Sequence, residues 1–188
     1  YYRKYKVRKY GAHGTSHRYV AQQAAKMLQR PVADLKLITL HLGSGASAAA
    51  IKNGRSLDTS MGFSPVSGLM MSTRSGDIDP SVLAFLLDHG AFQNIDECLE
   101  VLNHHSGILG VSEISRDMRE VQRQLSTNQQ AALAIKMFVK RICDYIGAYW
   151  LELGGADAII FTGGIGENDC LIRDMICRRL ECLGISFR

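Results

Sequence analysis

Leu37-Ile38-Thr39-Leu40-His41-Leu42, then Gly43-Ser44-Gly45, then Ala46-Ser47-Ala48-Ala49-Ala50-Ile51 follow without a break, and Asn53-Gly54 and Arg55-Ser56-Leu57-Asp58 come directly after. Leu37 to Leu42 has the apolar density of a buried strand. The glycines turn the chain, a second strand runs through Ile51, and Asn53-Gly54 is a strong hairpin signal into a third strand from Arg55 to Asp58. Upstream, Gly14-Thr15-Ser16 opens a helical run that ends at Arg30 before Pro31, with Ser16 as N-cap and Val20, Ala24, Met27 and Leu28 on one face. Downstream, Thr59 to Gly76 is irregular, a length that compact domains keep for function. Asp79-Pro80 reads as N-cap and first residue of a helix ending at Gly90, and Asn94 with Glu97 as a capping box. Apolar residues at three-or-four spacing run from Asn128 to Leu153, the longest helix, ended by Gly154-Gly155. Asp157 to Phe161 is a short buried strand. A glycine loop, Thr162 to Asn168, then leads into a helix ending near Leu183, with Gly184 as its stop. Strands alternating with helices predict an α/β domain with both sheet faces covered.

The chain has 188 residues, 46% hydrophobic and 21% charged, which suits one globular domain. No run approaches the ~20 apolar residues of a membrane span, so no membrane association is expected. With 3 Pro and no low-complexity tract, disorder is not expected either. The chain begins at Tyr1 without Met or a signal-peptide pattern and ends at Phe187-Arg188 after an apolar stretch, which reads as a piece of something longer. The net charge is +4, but five basic residues lie within the first nine, leaving 17 basic against 18 acidic. That basic, tyrosine-rich arm could touch nucleic acid or be a solvated connector. No recognition motif follows it, so nucleic acid is not expected as a partner. Five cysteines without a C-x-x-C pair fit reduced thiols in a cytoplasmic protein, with Cys170 and Cys177 filling one helix face.

Four segments carry chemistry. His41 to Ser47 is a hairpin with glycines at its tip, whose bare backbone N–H groups suit a phosphate. Gly163 to Asn168 leads a strand into a helix N-terminus, where orphan N–H groups favour an anion. Neither is a Walker loop or a full dinucleotide fingerprint, and each alone is also an ordinary tight turn. Two in one α/β domain point toward a nucleotide. Arg74, in Thr73 to Asp79, could clamp a phosphoryl group bidentately or simply pair with Asp77. Asp79 is explained by helix capping. His13, at a helix start, could donate to an anionic oxygen or serve as a structural histidine. His104-His105 reads as a polar loop.

Tyr10 to Val20, which contains His13-Gly14-Thr15-Ser16-His17, resembles the acetate kinase family's signature. Asp58 to Gly62, Thr73 to Pro80 and Phe161 to Asn168 also match, in the family's order. The resemblance runs from end to end of the chain, but members are about twice as long and hold two related domains with the active site between them. It implies an actin-like ATPase (ribonuclease H-like) domain, a mixed sheet flanked by helices. Residues 1–188 would be a single nucleotide-binding domain, a fragment of a longer two-domain kinase, and residues 1–14 the crossover from the other domain. The implied activity is reversible phosphoryl transfer between ATP and acetate, giving ADP and acetyl phosphate with Mg²⁺, by a homodimer paired through this domain.

By position, the resemblance makes His13 and Arg74 the catalytic stabilisers of the transferring phosphoryl group. His41, Leu42, Gly43, Ser44 and Gly45 match its phosphate hairpin, and Asp117, Met118 and Arg119 its adenosine site. Gly164, Ile165, Gly166, Glu167 and Asn168 match the loop beside the adenine and α-phosphate, with Ile165 against the base. Ala12 and Pro65 match the acyl pocket. Ser44 stands where the family usually has Asn, Met118 where it has Phe, and Ala12 where it has Phe; the lost ring enlarges the pocket and makes propionate the alternative to acetate. The family's other acetate-contacting and Mg²⁺-associated residues have no counterpart here. No metal ligand is therefore expected in this chain, which alone would be inactive, a module that folds and dimerises.

Overall fold

The computed structural model describes residues 1–185; the apolar chain end read at Phe187-Arg188 lies outside them. A short helical turn, α1 (Tyr2–Tyr5), precedes α2 (Gly14–Leu28). Then come β1 (Lys36–Leu42), β2 (Ala46–Lys52) and β3 (Arg55–Thr59), and four helices: α3 (Pro80–Asp88), α4 (Ile95–His104), α5 (Gly107–Ser112) and α6 (Met118–Arg123). The long α7 (Gln129–Leu153) leads to β4 (Ala158–Thr162), α8 (Gly163–Asn168) and α9 (Cys170–Leu180). The sheet order is β3-β2-β1-β4, with β1–β2 and β2–β3 antiparallel and β1–β4 parallel. It is the mixed, helix-flanked sheet that the resemblance implies.

Strand alternation decides what each face of this sheet holds. Ile38, Leu40 and Leu42 of β1 and Ala46, Ala48 and Ala50 of β2 point one way, into the main core under α7. Leu37, Ala49 and Ile51 point the other way, against Ala21 and Ala24 of α2. Thr39, His41 and Ser47 have the same parity as this second set, so β1 and β2 present two hydroxyls and an imidazole to α2. The alanines of β2 are small enough for backbones to approach on both sides. On α7, Ile135, Phe138, Val139, Ile142 and Ile146 are buried on one stripe. Asn128 caps this helix by accepting from the backbone N–H groups of Gln130 and Ala131, and Gly154 ends it at φ 65.

Several elements depart from the sequence reading. α2 is capped by His13 at φ 57, not by Ser16, and the His13 carbonyl accepts from His17 N. Ser16 lies inside the helix because its hydroxyl bonds His41 instead. Thr162 to Asn168 is not an open loop: the chain turns at Gly163 (φ 80) and winds at once into α8. A separate helix, α9, starts after Asp169, whose carboxylate accepts from Ile172 N. Glu97 accepts from Gln93 N rather than from Asn94, leaving the capping box half-formed. His104 belongs to α4 rather than to a loop. Cys170 is exposed and Cys177 half-buried, so they are not a packed pair; Cys98 is the buried thiol.

Candidate functional site

The turn between β1 and β2 is closed by Gly43 N donating to Gly45 O at 3.1 Å. Ser72 N reaches across to Ser44 O at 3.2 Å and fastens the 60–79 segment to this turn. That segment has no regular structure but is pinned on several sides. Met71 and Ser72 carbonyls accept from Ile108 N and Leu109 N, and Thr73 Oγ1 donates to Asn103 O at 2.8 Å. Gly107, at φ 62, allows α5 to start against it, since a Cβ there would run into the Met71 carbonyl oxygen.

This framework places Arg74 and His13 on either side of Gly45. A Cβ on Gly45 would lie 3.4 Å from Arg74 Nη1 and 3.6 Å from His13 Nε2. Arg74 does not pair with Asp77. Asp77 Oδ1 accepts from Gly68 N at 2.7 Å, and its Oδ2 accepts from Tyr145 Oη at 2.6 Å. Arg74 makes no ion pair among the described residues; its side-chain contact is Nη1 to Met71 Sδ at 3.7 Å. A half-buried guanidinium without a carboxylate is open to an external anion.

His13 belongs to a cluster of three imidazoles. Its ring stacks on that of His41 with centroids 4.0 Å apart, and its Nδ1 lies 2.8 Å from Ser47 Oγ. His17, 5% exposed, lies 2.7 Å from Thr39 Oγ1 through Nδ1 and 2.8 Å from Ser47 Oγ through Nε2. His41 Nδ1 lies 2.8 Å from Ser16 Oγ. Burial pushes all three imidazoles below their ordinary range, His17 to about 4. For His13 the neighbouring His41 and Arg74 push in the same direction. All three rings are therefore neutral near pH 7, and stacked neutral rings repel far less than stacked imidazoliums.

A cleft of about 890 Å³ opens from Gly43-Ser44-Gly45 past Ser72, Thr73 and Arg74 to α6 and the α8–α9 junction. Asp117, Met118, Arg119, Gly164, Ile165 and Asn168 line its far wall. Asp117 caps α6 through Arg119 N and pairs with the Arg119 guanidinium, which holds its carboxyl down at about 2. Asn168 donates to Gly164 O at 2.9 Å and closes the α8 turn. His13 and His41 stand behind Gly45 rather than on the cleft wall, Leu42 and Gly166 are buried beneath it, and Glu167 accepts from Thr162 Oγ1 at 2.9 Å. Arg116, Gln122, Asp169, Cys170 and Leu171 also line the cleft and escaped the sequence reading. All five lie within a few residues of the segments singled out, and Asp169 carries the N-cap signal of α9.

Ala12 lines a different depression, of about 590 Å³, with Tyr10, Gly11 and Thr59. Pro65 is exposed and lines neither of these two hollows, although Tyr10 N and Gly11 N both donate to Gly62 O in the segment just before it. Among the described residues no group of three or more His, Cys, Asp or Glu could hold a metal. The cleft carboxylates are engaged: Asp117 by Arg119, and Asp169 by the α9 N-terminus and by Gln122 Nε2 at 2.6 Å. These residues do not fit a Mg²⁺ site of their own.

A sequence model of the Acetokinase family matches residues 1–188. The acetate kinase of Limosilactobacillus fermentum is 56% identical over 187 residues, 99% of this chain and 47% of that protein. The crystal structure of Porphyromonas gingivalis acetate kinase superposes with a TM-score of 0.95 at 47% identity, over 99% of this chain and 47% of that one. A propionate kinase from Francisella tularensis superposes with a TM-score of 0.91 at 44% identity, over 97% and 47%. The chain thus spans about half the length of the relatives it matches, and its mixed α/β architecture is consistent with the actin-like ATPase fold.

Proposed function

This chain belongs to the Acetokinase family, and from that premise we propose that residues 1–188 form the nucleotide-binding half of a kinase that phosphorylates a short-chain carboxylate. Residues 1–14 form the crossover from the other half. The observation that carries the reading is the single cleft that collects the β1–β2 glycine turn, Arg74, α6 and the α8 turn. In the proposed reaction a carboxylate oxygen of acetate attacks the γ-phosphorus of ATP, the bond from that phosphorus to the β,γ-bridging oxygen breaks, and acetyl phosphate and ADP result. The chain's own part is positioning and charge stabilisation. The Gly43 to Gly45 turn, with Leu42 beneath it, offers backbone N–H groups to the phosphates. Gly164 to Asn168 and Asp117 to Arg119 flank the adenosine, Ile165 lying against the base. His13 and Arg74 stabilise charge on the equatorial oxygens in flight, with His41 supporting the His13 ring. Mg²⁺ accompanies the ATP, held by groups outside this chain, and the enzyme works as a homodimer.

Propionate is the second reading, because Ala12 leaves its depression without the ring that the family usually places there. The test is a coupled ADP-release assay on the full gene product that carries this chain, with acetate, propionate and butyrate. Acetate supports the highest kcat/KM if the first reading holds. A propionate optimum selects the second. No release with any acid overturns the catalytic reading and leaves an inert nucleotide-binding or dimerising module.

A further inference from the structure

We propose that Thr39, His17 and Ser47 form a hydrogen-bond relay that sets the tautomer of His13, so that this ring presents Nε2–H to the space beside Gly45. They are positioning residues, and the inference rests on the phosphoryl-stabilising role proposed for His13. The relay is continuous: Thr39 Oγ1 to His17 Nδ1 at 2.7 Å, His17 Nε2 to Ser47 Oγ at 2.8 Å, and Ser47 Oγ to His13 Nδ1 at 2.8 Å. A neutral imidazole carries one proton and a hydroxyl donates one; were Ser47 to accept from both rings, its own buried proton would have no acceptor among the described residues, so the relay points in one of two directions. In one, Thr39 donates to His17, His17 to Ser47 and Ser47 to His13, leaving the His13 proton on Nε2. In the other every bond reverses, and His13 Nε2 is a bare lone pair.

Thr39 decides between them. It is fully buried, and its hydroxyl has no other hydrogen-bond partner among the described residues. In the second direction it accepts from His17 and its own proton is stranded in a dry interface, a cost of the kind native structures avoid. In the first direction each proton in the relay has an acceptor, except the one that His13 directs toward Gly45. That remaining donor and Arg74 Nη1 both lie within 3.6 Å of the point where a Gly45 side chain would begin. Two converging donors suit an anionic oxygen, whereas a bare Nε2 would accept from Arg74 and repel that oxygen. Burial keeps His13 neutral, with His41 and Arg74 acting the same way, so the ring must choose a tautomer.

The relay follows from the fold. β1 and β2 alternation puts Thr39 and Ser47 on the face under α2, and one turn of α2 separates His13 from His17. The same logic operates in catalytic triads, where a hydrogen bond to the far ring nitrogen fixes the tautomer and its inversion costs ~10⁴-fold in kcat.

The test has a spectroscopic and a kinetic arm, both on the full gene product. Long-range ¹H–¹⁵N spectra of ¹⁵N-histidine-labelled protein report which ring nitrogen of His13 is protonated. The expected result is Nε2–H at pH 7; Nδ1–H or a doubly protonated ring overturns the proposal. Ser47→Ala breaks the relay and frees His13 to turn its lone pair toward Arg74. A shift of the His13 proton to Nδ1 is then expected, with kcat lowered about 10- to 100-fold, as for other partners that orient a functional histidine, and the ATP KM nearly unchanged. Retention of Nε2–H and of wild-type kcat in Ser47→Ala overturns it. If Ser47→Ala does not fold, Thr39→Val and Thr39→Ser serve: Val lowers kcat several-fold and Ser restores it, whereas equal kcat values for the two overturn the relay. The wild-type spectrum requires no turnover, so an inactive protein refutes the proposed function, and with it the catalytic use of the relay, while the tautomer assignment is still decided by the spectrum.

Discussion

At Arg74 a guanidinium stands beside Gly45 with no carboxylate among the described residues to neutralise it, because Asp77 is committed to Gly68 N and Tyr145. Ground-state ATP would be held mainly by the glycine turn and the far wall of the cleft, so the fork matters most when charge builds on the transferring group. Arg74→Ala is therefore expected to lower kcat about 100- to 1,000-fold, the usual cost of one preorganised donor, with a much smaller rise in the ATP KM. Arg74→Lys should recover only part, since a point charge cannot reproduce the bidentate fork. Steady-state kinetics check this, and a variant with normal kcat but a raised KM makes Arg74 a binding residue. His17 supports a second expectation. Its folded pKa of about 4 lies below the 6.5 of the unfolded chain, so the unfolded state takes up the proton first as pH falls. The stability held by neutral His17 is complete above pH 6.5 and is lost between there and pH 4, by up to roughly 3 kcal/mol. Urea midpoints measured across that window should fall with pH, and His17→Gln should flatten the slope; an unchanged slope in His17→Gln places the acid sensitivity elsewhere.

Among the elements, the α8 turn depends on Gly163. The residue sits at φ 80, and a Cβ on it would lie 2.7 Å from Leu42 O, at the point where β1 enters the glycine turn. Gly163→Ala is expected to cost at least about 1 kcal/mol, the price of a left-handed L-residue before any backbone shift. Chemical denaturation reads it as a lower midpoint at constant slope. An unchanged midpoint shows that the junction relaxes freely. The strands, the cap at Asp79 and the length of α7 were legible in the sequence, because each is written in local periodicity or in one capping side chain. The N-terminus of α2 was not, because the Ser16 hydroxyl serves a ring on β1 that is distant in sequence. The gathering of Gly43 to Gly45, Arg74, Asp117 to Arg119 and Gly164 to Asn168 in one cleft was implied by family likeness rather than by spacing. The Thr39, Ser47 and His17 relay was invisible, since two strand hydroxyls and a helical histidine become neighbours only through sheet register.

For the whole molecule, the aromatic residues of α7 are largely accounted for within the chain. Phe138 and Tyr149 are buried in the core, and Tyr145 is held by Asp77. They give no argument for a second copy, and the proposed homodimer rests on family likeness alone. The cleft itself bounds how tightly this chain can hold a nucleotide. Of its lining side chains Arg74, Arg116 and Arg119 are basic, but Arg119 is already paired with Asp117, and Asp117 and Asp169 add negative charge to a cleft that would take a polyanion. No described cluster could hold the Mg²⁺ that would offset that repulsion. What remains is a set of backbone N–H groups, an Arg74 without an ion pair among the described residues and the wall proposed for the base, while the relatives that this chain matches are about twice as long. The 188-residue chain is therefore expected to bind ATP or ADP with Kd weaker than about 1 µM, less than about 8.2 kcal/mol of binding free energy. Mg²⁺ should change that affinity little, because no group of three or more His, Cys, Asp or Glu among the described residues could hold the metal. Isothermal calorimetry with ATP, with and without Mg²⁺, is the measurement. Sub-micromolar affinity, or a strong gain on adding Mg²⁺, means that the cleft closes on the nucleotide without a second half and that the charge balance described for its walls is reorganised on binding.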